Sequence, residues 1–141
     1  MAAIAVMLDV AFHGGRTATV SATEIAERAG TARRGMEPLL QSLSRAGLLE
    51  SVRGPRGGYR LGRPRRDISL ADIIAVSFEE GVDPNEPPPG KLQEVVLDPL
   101  WKELSATLDE RLAAITLDDL MRRAAQAGLR RPMTEPISYA I

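Results

Sequence analysis

Residues 21–61 read SATEIAERAGTARRGMEPLLQSLSRAGLLESVRGPRGGYRL, and this stretch decides the fold. It opens with Ser21 and Glu24 in the Ser-x-x-Glu pattern of a capping box, in which each residue satisfies a free backbone N–H of the other. We therefore predict a helix over 22–29 that ends at Gly30. Apolar residues at positions 36, 39, 40 and 43 have a helical period and predict a second helix up to Ala46. Two short helices joined by a glycine turn are typical of a helix-turn-helix.

The residues after the second helix predict a β-hairpin. Strands are expected at 48–52 and 59–61, and the segment between them, Arg53 to Gly58, holds three glycines and a proline that suit a turn. A helix-turn-helix followed by a hairpin that carries arginines is a winged helix, so the predicted fold is mainly α with a small β-hairpin wing. The alternative is a structural hairpin whose arginines are merely solvated.

The segment before the helix-turn-helix predicts a buried first helix. Residues 2–12 are nearly all apolar, which in a short helix indicates burial in a small domain. Asp9 interrupts the run, no basic region precedes it, and it is too short to span a membrane. We therefore expect a cytoplasmic protein with no membrane partner. His13 follows at the helix end, where the helix dipole favours it.

The second half of the chain predicts three further helices. Residues 70–78 suit a helix packed on the winged domain, and the acidic, proline-rich segment 79–90 suits a loop. Asp98 and Pro99 either start a new helix or mark a kink in a longer one. Thr116 to Asp119 resemble a cap that opens a last helix to about Ala127. We divide the chain into a winged domain (1–66), a connecting helix and loop (67–97), a dimerisation helix with a short terminal helix (98–127) and a loosely ordered tail (128–141).

The long helix carries an apolar seam with spacings of three and four residues. Because the winged domain ends near residue 66, we expect the seam to pair with a second copy of the chain; the alternative is that it packs back on its own domain. The predicted dimer interface consists of Leu97, Leu100, Trp101, Leu104, Leu108, Leu112 and Ile115.

The near-neutral net charge of −1 hides an asymmetry. Residues 1–66 hold eleven arginines, no lysine and five acidic residues, whereas residues 67–141 hold seven basic and fourteen acidic residues. An arginine-rich half is typical of phosphate contact. The sequence has no cysteine and one histidine, which excludes disulfides, cysteine nucleophiles and cysteine-ligated iron–sulfur clusters. We expect no metal site, no cofactor and no enzyme activity, because no nucleophile–base pair, paired-carboxylate motif or phosphate loop is present.

Three segments of the chain resemble one family. The segments Glu24 to Arg28, Arg45 to Leu48 and above all VRGPRGGYRL at 52–61 resemble the bacterial winged-helix regulators of the Rrf2 family, the group of IscR, NsrR and CymR type. The segments ISLADII at 68–74 and ITLDDL at 115–120 also fit. The resemblance covers about residues 1–125 and implies a homodimer that binds operator DNA, with the long helix crossing to the partner.

The sequence departs from the family pattern at three places. Members usually carry a further short segment before the position of Met1, so we expect weaker DNA affinity if that segment is missing. The usual Tyr and Gln of the recognition helix are Gly35 and Pro38, and base preferences are therefore not transferred. The segment that holds three cysteines in cluster-binding members has none here; its acidic residues suit a solvated loop better than a cation site.

The second helix of the helix-turn-helix is the expected recognition helix, whose first turn enters the major groove. An arginine in this turn can pair with guanine or with phosphate. Glu37 is expected to accept a hydrogen bond from the amino group of cytosine; the alternative is that it forms a salt bridge or is solvated. The start of the first helix of the helix-turn-helix is expected to bind a phosphate. The arginines of the wing are expected to contact an adjacent minor groove. The predicted DNA-binding residues are Ser21, Thr23, Ala32, Arg33, Arg34, Gly35, Glu37, Arg53, Arg56, Gly57, Gly58 and Arg60.

The sequence thus predicts a sequence-specific regulator, a repressor, that binds double-stranded DNA at a pseudo-palindromic operator as a homodimer. The alternative is a winged-helix protein-interaction module that has lost DNA binding. A small effector between the winged domain and the dimer helix is conceivable, but no residue identifies one.

Overall fold

The computed structural model describes residues 1–77 and 84–129. Helix α1 (Ala2–His13) lies at the centre of the core because it is apolar on all sides. Its buried face includes Val6, Met7 and Val10, each at most 2% exposed. The one acid of the helix, Asp9, receives two hydrogen bonds from Arg28, at 2.7 and 2.9 Å. This ion pair joins α1 to the helix that follows.

Helices α2 (Ala22–Ala29) and α3 (Arg33–Arg45) form the predicted helix-turn-helix. The capping box is confirmed: the backbone N–H of Glu24 donates to the Ser21 hydroxyl oxygen, and that of Ser21 donates to the Glu24 carboxylate, both at 3.1 Å. Gly30 ends α2 with a φ of +69°, in the left-handed region that glycine enters without strain. The N-terminus of helix α3 is less well capped, because its N-cap residue Ala32 offers no side-chain hydrogen-bond acceptor.

The predicted hairpin consists of β1 (Leu49–Val52) and β2 (Gly58–Leu61), paired antiparallel. Leu49 lies opposite Leu61 at the base, and Val52 opposite Gly58 at the tip. A third segment, which the sequence pattern did not predict, runs along the outer side of β2. Val20 and Tyr59 exchange two backbone hydrogen bonds of 2.8 Å, and the N–H of Leu61 donates to the carbonyl of Gly15.

Helices α4 (Leu70–Ser77), α5 (Asp98–Ala114) and α6 (Leu117–Gln126) complete the described chain. Helix α4 is described up to Ser77, and its predicted last residue, Phe78, lies outside the described residues. A single backbone bridge joins the start of α4 to that of α6, with Leu70 N–H donating to Ile115 O and Leu117 N–H to Ile68 O. The predicted cap of α6 is confirmed as a second capping box, between Thr116 and Asp119.

Asp98 does not start a new helix, so the second of the two sequence interpretations is closer. The chain is already helical from Lys91, and Gln93–Leu97 form a π-helical turn that leads into α5 without a break. Pro99 explains the turn, because it has no N–H to donate to the carbonyl of Val95 and its ring crowds that carbonyl. A local π turn widens the helix and relieves this conflict.

The core does not stop at residue 66. Ile68, Ile73 and Leu117 are fully buried and join the same cluster as Val10 of α1 and Leu43 of α3. The domain boundary predicted at residue 66 stays a prediction. Residues on both sides of it belong to the same hydrophobic core. Residues 79–83 of the predicted acidic loop and 130–141 of the predicted loose tail fall outside the described residues. Within the described ranges, no helix is long and apolar enough to cross a membrane.

Candidate nucleic-acid interface

One cleft brings together half of the predicted DNA-binding residues. It has a volume of about 520 Å³ and lies between the start of α2, the exposed face of α3 and the hairpin, and we call it the recognition cleft. Two of its walls come from elements far apart in sequence, which only the packing of the hairpin against the helices brings together. The predicted residues that line it are Ser21, Thr23, Glu37, Arg53, Gly57 and Gly58.

The sequence reasoning missed three polar residues of this cleft: Gln41, Ser51 and Tyr59. Gln41 is exposed and follows Glu37 by four residues, so both lie on one face of α3. That spacing was a usable signal. Ser51 and Tyr59 are paired across the hairpin, and their side chains face the cleft only because of the strand register.

The remaining predicted residues lie outside the recognition cleft. Ala32, Arg34 and Gly35 are exposed at the start of α3, where Arg33 begins the helix. Gly35 also borders a largely apolar groove between α1, α2 and α3. Arg56 lines a second, neighbouring cleft together with Thr19 and Glu24. The carbonyl of Arg56 accepts a 2.7 Å hydrogen bond from the Thr19 hydroxyl, which ties the hairpin tip to the third segment.

The capping box changes the expected phosphate contact at the start of α2. The backbone N–H of Ser21 is already bound to the Glu24 carboxylate, which lies at the positive end of the helix. A phosphate therefore has to use the exposed Thr23, through its hydroxyl and its backbone N–H, and the Ser21 hydroxyl hydrogen, since the Ser21 hydroxyl oxygen accepts from Glu24.

Two wing glycines are required by the hairpin itself. A Cβ on Gly58 would lie 2.5 Å from the carbonyl oxygen of Val20, and one on Gly57 would lie 2.5 Å from that of Val52. No side chain fits at either distance. Their expected role, a close approach to the sugar–phosphate backbone, is thus accompanied by a structural one that explains the glycines without DNA.

The arginines of the candidate interface differ in what they contact. Arg34, Arg53 and Arg56 are exposed, and none forms an ion pair with any residue that the structure describes. Arg60, in contrast, makes a two-point contact with Glu50 across the hairpin, at 2.9 and 3.3 Å. This hydrogen-bonded pair holds the pKa of the Glu50 carboxyl below its ordinary value and raises the pKa of Arg60.

A second candidate surface lies on the long helix. Leu97, Leu100, Trp101, Leu104 and Leu108 are between 49% and 70% exposed, and three further apolar residues extend the surface towards the π turn: Leu92, Val95 and Val96. Such a continuous apolar surface is unusual on a free helix. The last two residues of the predicted seam behave differently, since Leu112 and Ile115 are partly buried against the core of their own chain.

Comparison with known proteins identifies the family. The sequence profile of the Rrf2 family, described as an iron-dependent transcriptional regulator, matches residues 1–123. The chain is 38% identical over 124 residues to the HTH-type transcriptional regulator IscR of Vibrio campbellii, covering 85% of this chain and 73% of that protein. Among solved structures it is similar to T. potens IscR, with a TM-score of 0.68, 33% identity and coverage of 90% and 85% of the two chains. CymR, the global cysteine regulator of B. subtilis, has a TM-score of 0.64, 31% identity and coverage of 86% and 91%.

The sequence lacks the thiolate ligands of an iron–sulfur cluster, although the family description names iron. Its sequence has no cysteine and a single histidine, so no thiolate is present to hold an iron–sulfur cluster. Within residues 1–77 and 84–129, no three histidine, aspartate or glutamate side chains converge as metal ligands. The family consists of regulators and not of enzymes, in agreement with the sequence prediction. With a matching profile over most of its length and a winged helix confirmed in the structure, the chain belongs to the Rrf2 family of transcriptional regulators.

Proposed function

We propose that the protein is a sequence-specific repressor that binds operator DNA as a homodimer. The observation that carries this proposal is the recognition cleft, where polar side chains of α2, α3 and the hairpin converge beside the exposed, unpaired Arg53. Convergent exposed polar groups with an arginine excess suit the phosphate and groove contacts of a duplex. A hairpin that only stabilised the fold would not need unpaired arginines at its tip.

In the proposed complex, the start of α3 enters the major groove. The guanidinium of Arg34 is exposed there and suits a two-point contact with guanine, while Glu37 and Gln41 follow along the same helix face. Arg53 and Arg56 lie at the hairpin tip and line two neighbouring clefts, which suits contact with an adjacent minor groove.

The exposed apolar face of α5 supports the homodimer. Trp101 is 70% exposed and four leucines lie beside it, an arrangement that costs solvation free energy unless a partner covers it. A second copy of the same helix offers a matching apolar face. Two-fold symmetry then presents two recognition helices to a pseudo-palindromic site, with half-sites about one or more helical turns apart.

We further propose that the protein acts in the cytoplasm and without a cysteine-ligated cluster. The absence of thiolate ligands from the sequence supports the second statement. A signal therefore has to act through residues other than cysteine.

The test is selection of bound duplexes from a random DNA pool, followed by affinity measurements at several salt concentrations. A regulator with several phosphate contacts loses affinity steeply as salt rises, by roughly one decade in affinity per decade in salt for each neutralised phosphate. Recovery of one pseudo-palindromic sequence with such a dependence supports the proposal. Failure to enrich any sequence, with a folded dimer, would instead favour the protein-interaction module.

A further inference from the structure

A cluster of arginines outside the recognition cleft lines a separate cleft of about 410 Å³. It lies between the segment after α1, the 3₁₀ turn Arg65–Asp67 and the start of α6, and we call it the basal cleft. Three arginines border it, Arg16, Arg65 and Arg66, with the exposed Thr17 beside them and one acid, Asp118, opposite.

The charges of the basal cleft are only partly balanced. The Nε of Arg65 donates to Oδ1 of Asp118 at 2.7 Å. Arg16 and Arg66 are exposed and form no ion pair within the described part of the chain. Three guanidinium groups around one cleft favour an anion between them, since guanidinium groups bind phosphate and carboxylate through paired N–H donors.

The basal cleft lies away from the wing tip. It borders Leu61 at the base of the hairpin, whereas Arg53 and Arg56 lie at or next to the tip, beyond Gly58. Leu61 and Gly58 are three positions apart in an extended strand, a distance of about 10 Å. The cleft instead adjoins α6, whose first residue, Leu117, donates its backbone N–H to Ile68. It is therefore located where the winged segment meets the C-terminal helices.

We propose that the basal cleft binds a small multivalent oxyanion, such as a phosphorylated or polycarboxylate metabolite. Arg16 and Arg66 hold the anion, Thr17 donates a hydroxyl hydrogen bond, and Arg65 exchanges its contact with Asp118 for one with the ligand. This exchange is favourable because the existing pair is partly exposed, with side-chain exposures of 43% and 29%, and is therefore weak. Loss of the Arg65–Asp118 contact removes one of the links between α6 and the winged segment, beside the backbone bridge of Ile68 and Leu117. The effect on DNA binding rests on the proposed function above, but anion binding itself does not.

The experiment uses the full chain and inorganic pyrophosphate as the probe, titrated at constant ionic strength with sodium chloride as the balance. We expect a saturable rise in Tm, because a ligand that binds only the folded state stabilises it. The double variant Arg16→Gln/Arg66→Gln should bind pyrophosphate at least about tenfold more weakly, since its charge-assisted contacts are gone. The matched control, Arg45→Gln/Arg123→Gln, removes two exposed charges elsewhere and should bind like the wild type.

A second pair of variants tests the exchange at Arg65. Asp118→Asn removes the competing carboxylate and should tighten pyrophosphate binding, whereas Asp109→Asn, on the exposed side of α5, should not. When pyrophosphate is added to a ¹⁵N-labelled sample, the amide resonances of Gly15, Thr17 and Arg66 should shift first. This readout and the Asp118→Asn titration decide the proposal even if the double arginine variant fails to fold.

Three results would overturn the inference. One is a Tm rise that does not saturate, or that is equal in the arginine variant and its control, because general ion effects then explain it. Another is amide shifts that spread over the wing tip instead of the cleft. The last result combines two observations: the wild type does not bind pyrophosphate, and Arg16→Gln/Arg66→Gln lowers the slope of log K against log salt for DNA binding by about two. These arginines would then contact DNA phosphates instead. If the wild type binds pyrophosphate but no DNA, the proposed function fails and the anion site stands.

Discussion

Arg60 and Glu50 lie directly opposite each other in the hairpin, with Nη2 of Arg60 2.9 Å from Oε1 of Glu50. The contact has two hydrogen bonds, which suits the planar guanidinium and restricts its rotamers. It separates the wing arginines into two kinds: Arg60 is engaged within the sheet, whereas Arg53 and Arg56 have no ion-pair partner among the described residues. Substitution of the two kinds of arginine should therefore have different effects on DNA binding.

Arg56→Ala should weaken DNA binding and reduce the dependence of log K on log salt by about one, the contribution of one neutralised phosphate. Arg60→Ala should reduce it less, because part of that charge is already balanced by Glu50. The measurement is a series of binding isotherms between about 50 and 200 mM salt. An unchanged affinity and slope for Arg56→Ala would remove the wing tip from the interface.

Trp101→Glu combined with Leu104→Glu should produce monomers. Both side chains are more than half exposed in the single chain, so the substitutions leave the core intact and add charge to the proposed interface. Sedimentation velocity gives the mass directly. Ala106→Glu/Ala113→Glu is the matched control, since these residues lie on the far side of α5 by the helical period of 100° per residue. A dimer that survives the first pair would exclude this face.

Gly58→Ala and Gly35→Ala should have opposite effects on stability. A Cβ at Gly58 meets the Val20 carbonyl oxygen, so the β-bridge has to shift, at a cost of about 1–3 kcal/mol. Gly35 is in α3 with only an ordinary contact near its Cβ position, so alanine there should stabilise the helix by up to about 1 kcal/mol. Urea denaturation of the two variants measures both. Equal effects would mean that the approach of the third segment to β2 is looser than described.

Asp119→Ala should destabilise the protein at neutral pH but not in strong acid. The carboxylate accepts a 2.9 Å hydrogen bond from the Thr116 backbone N–H and also contacts Arg122. The first contact is the main reason why the pKa of Asp119 lies below its ordinary value. Since the folded state binds this proton less readily than the unfolded state, the stabilisation is present above the unfolded pKa and is lost as pH falls through the folded one.

The measurement is the difference in urea midpoint between Asp119→Ala and the wild type, taken from pH 7 to pH 2. Asp109→Ala, an exposed acid on α5 for which no ion pair is described, is the control and should show no such trend. A difference that stays constant down to pH 2 would contradict the cap as the source of the effect.

The elements with local chemical causes were predictable from the sequence. The capping boxes at Ser21 and Thr116 and the left-handed Gly30 depend on residues within one helical turn. The hairpin depends on glycine and proline between two short strands. Half of the recognition cleft was predicted for the same reason, because its residues occupy set positions in a helix-turn-helix and a wing.

The sequence by itself therefore determined the winged helix, since short-range hydrogen bonding and backbone sterics specify its elements. It also indicated that the arginines are exposed, because an unpaired charged group is costly to bury. Only the tertiary structure decided which arginines are already paired, because the strand register sets Arg60 against Glu50 and the docking of α6 sets Arg65 against Asp118. It also divided the apolar seam, since the bridge between Ile68 and Leu117 draws Leu112 and Ile115 towards the core while Trp101 stays exposed. These contacts join residues ten to about fifty positions apart, and packing of the whole chain brings them together.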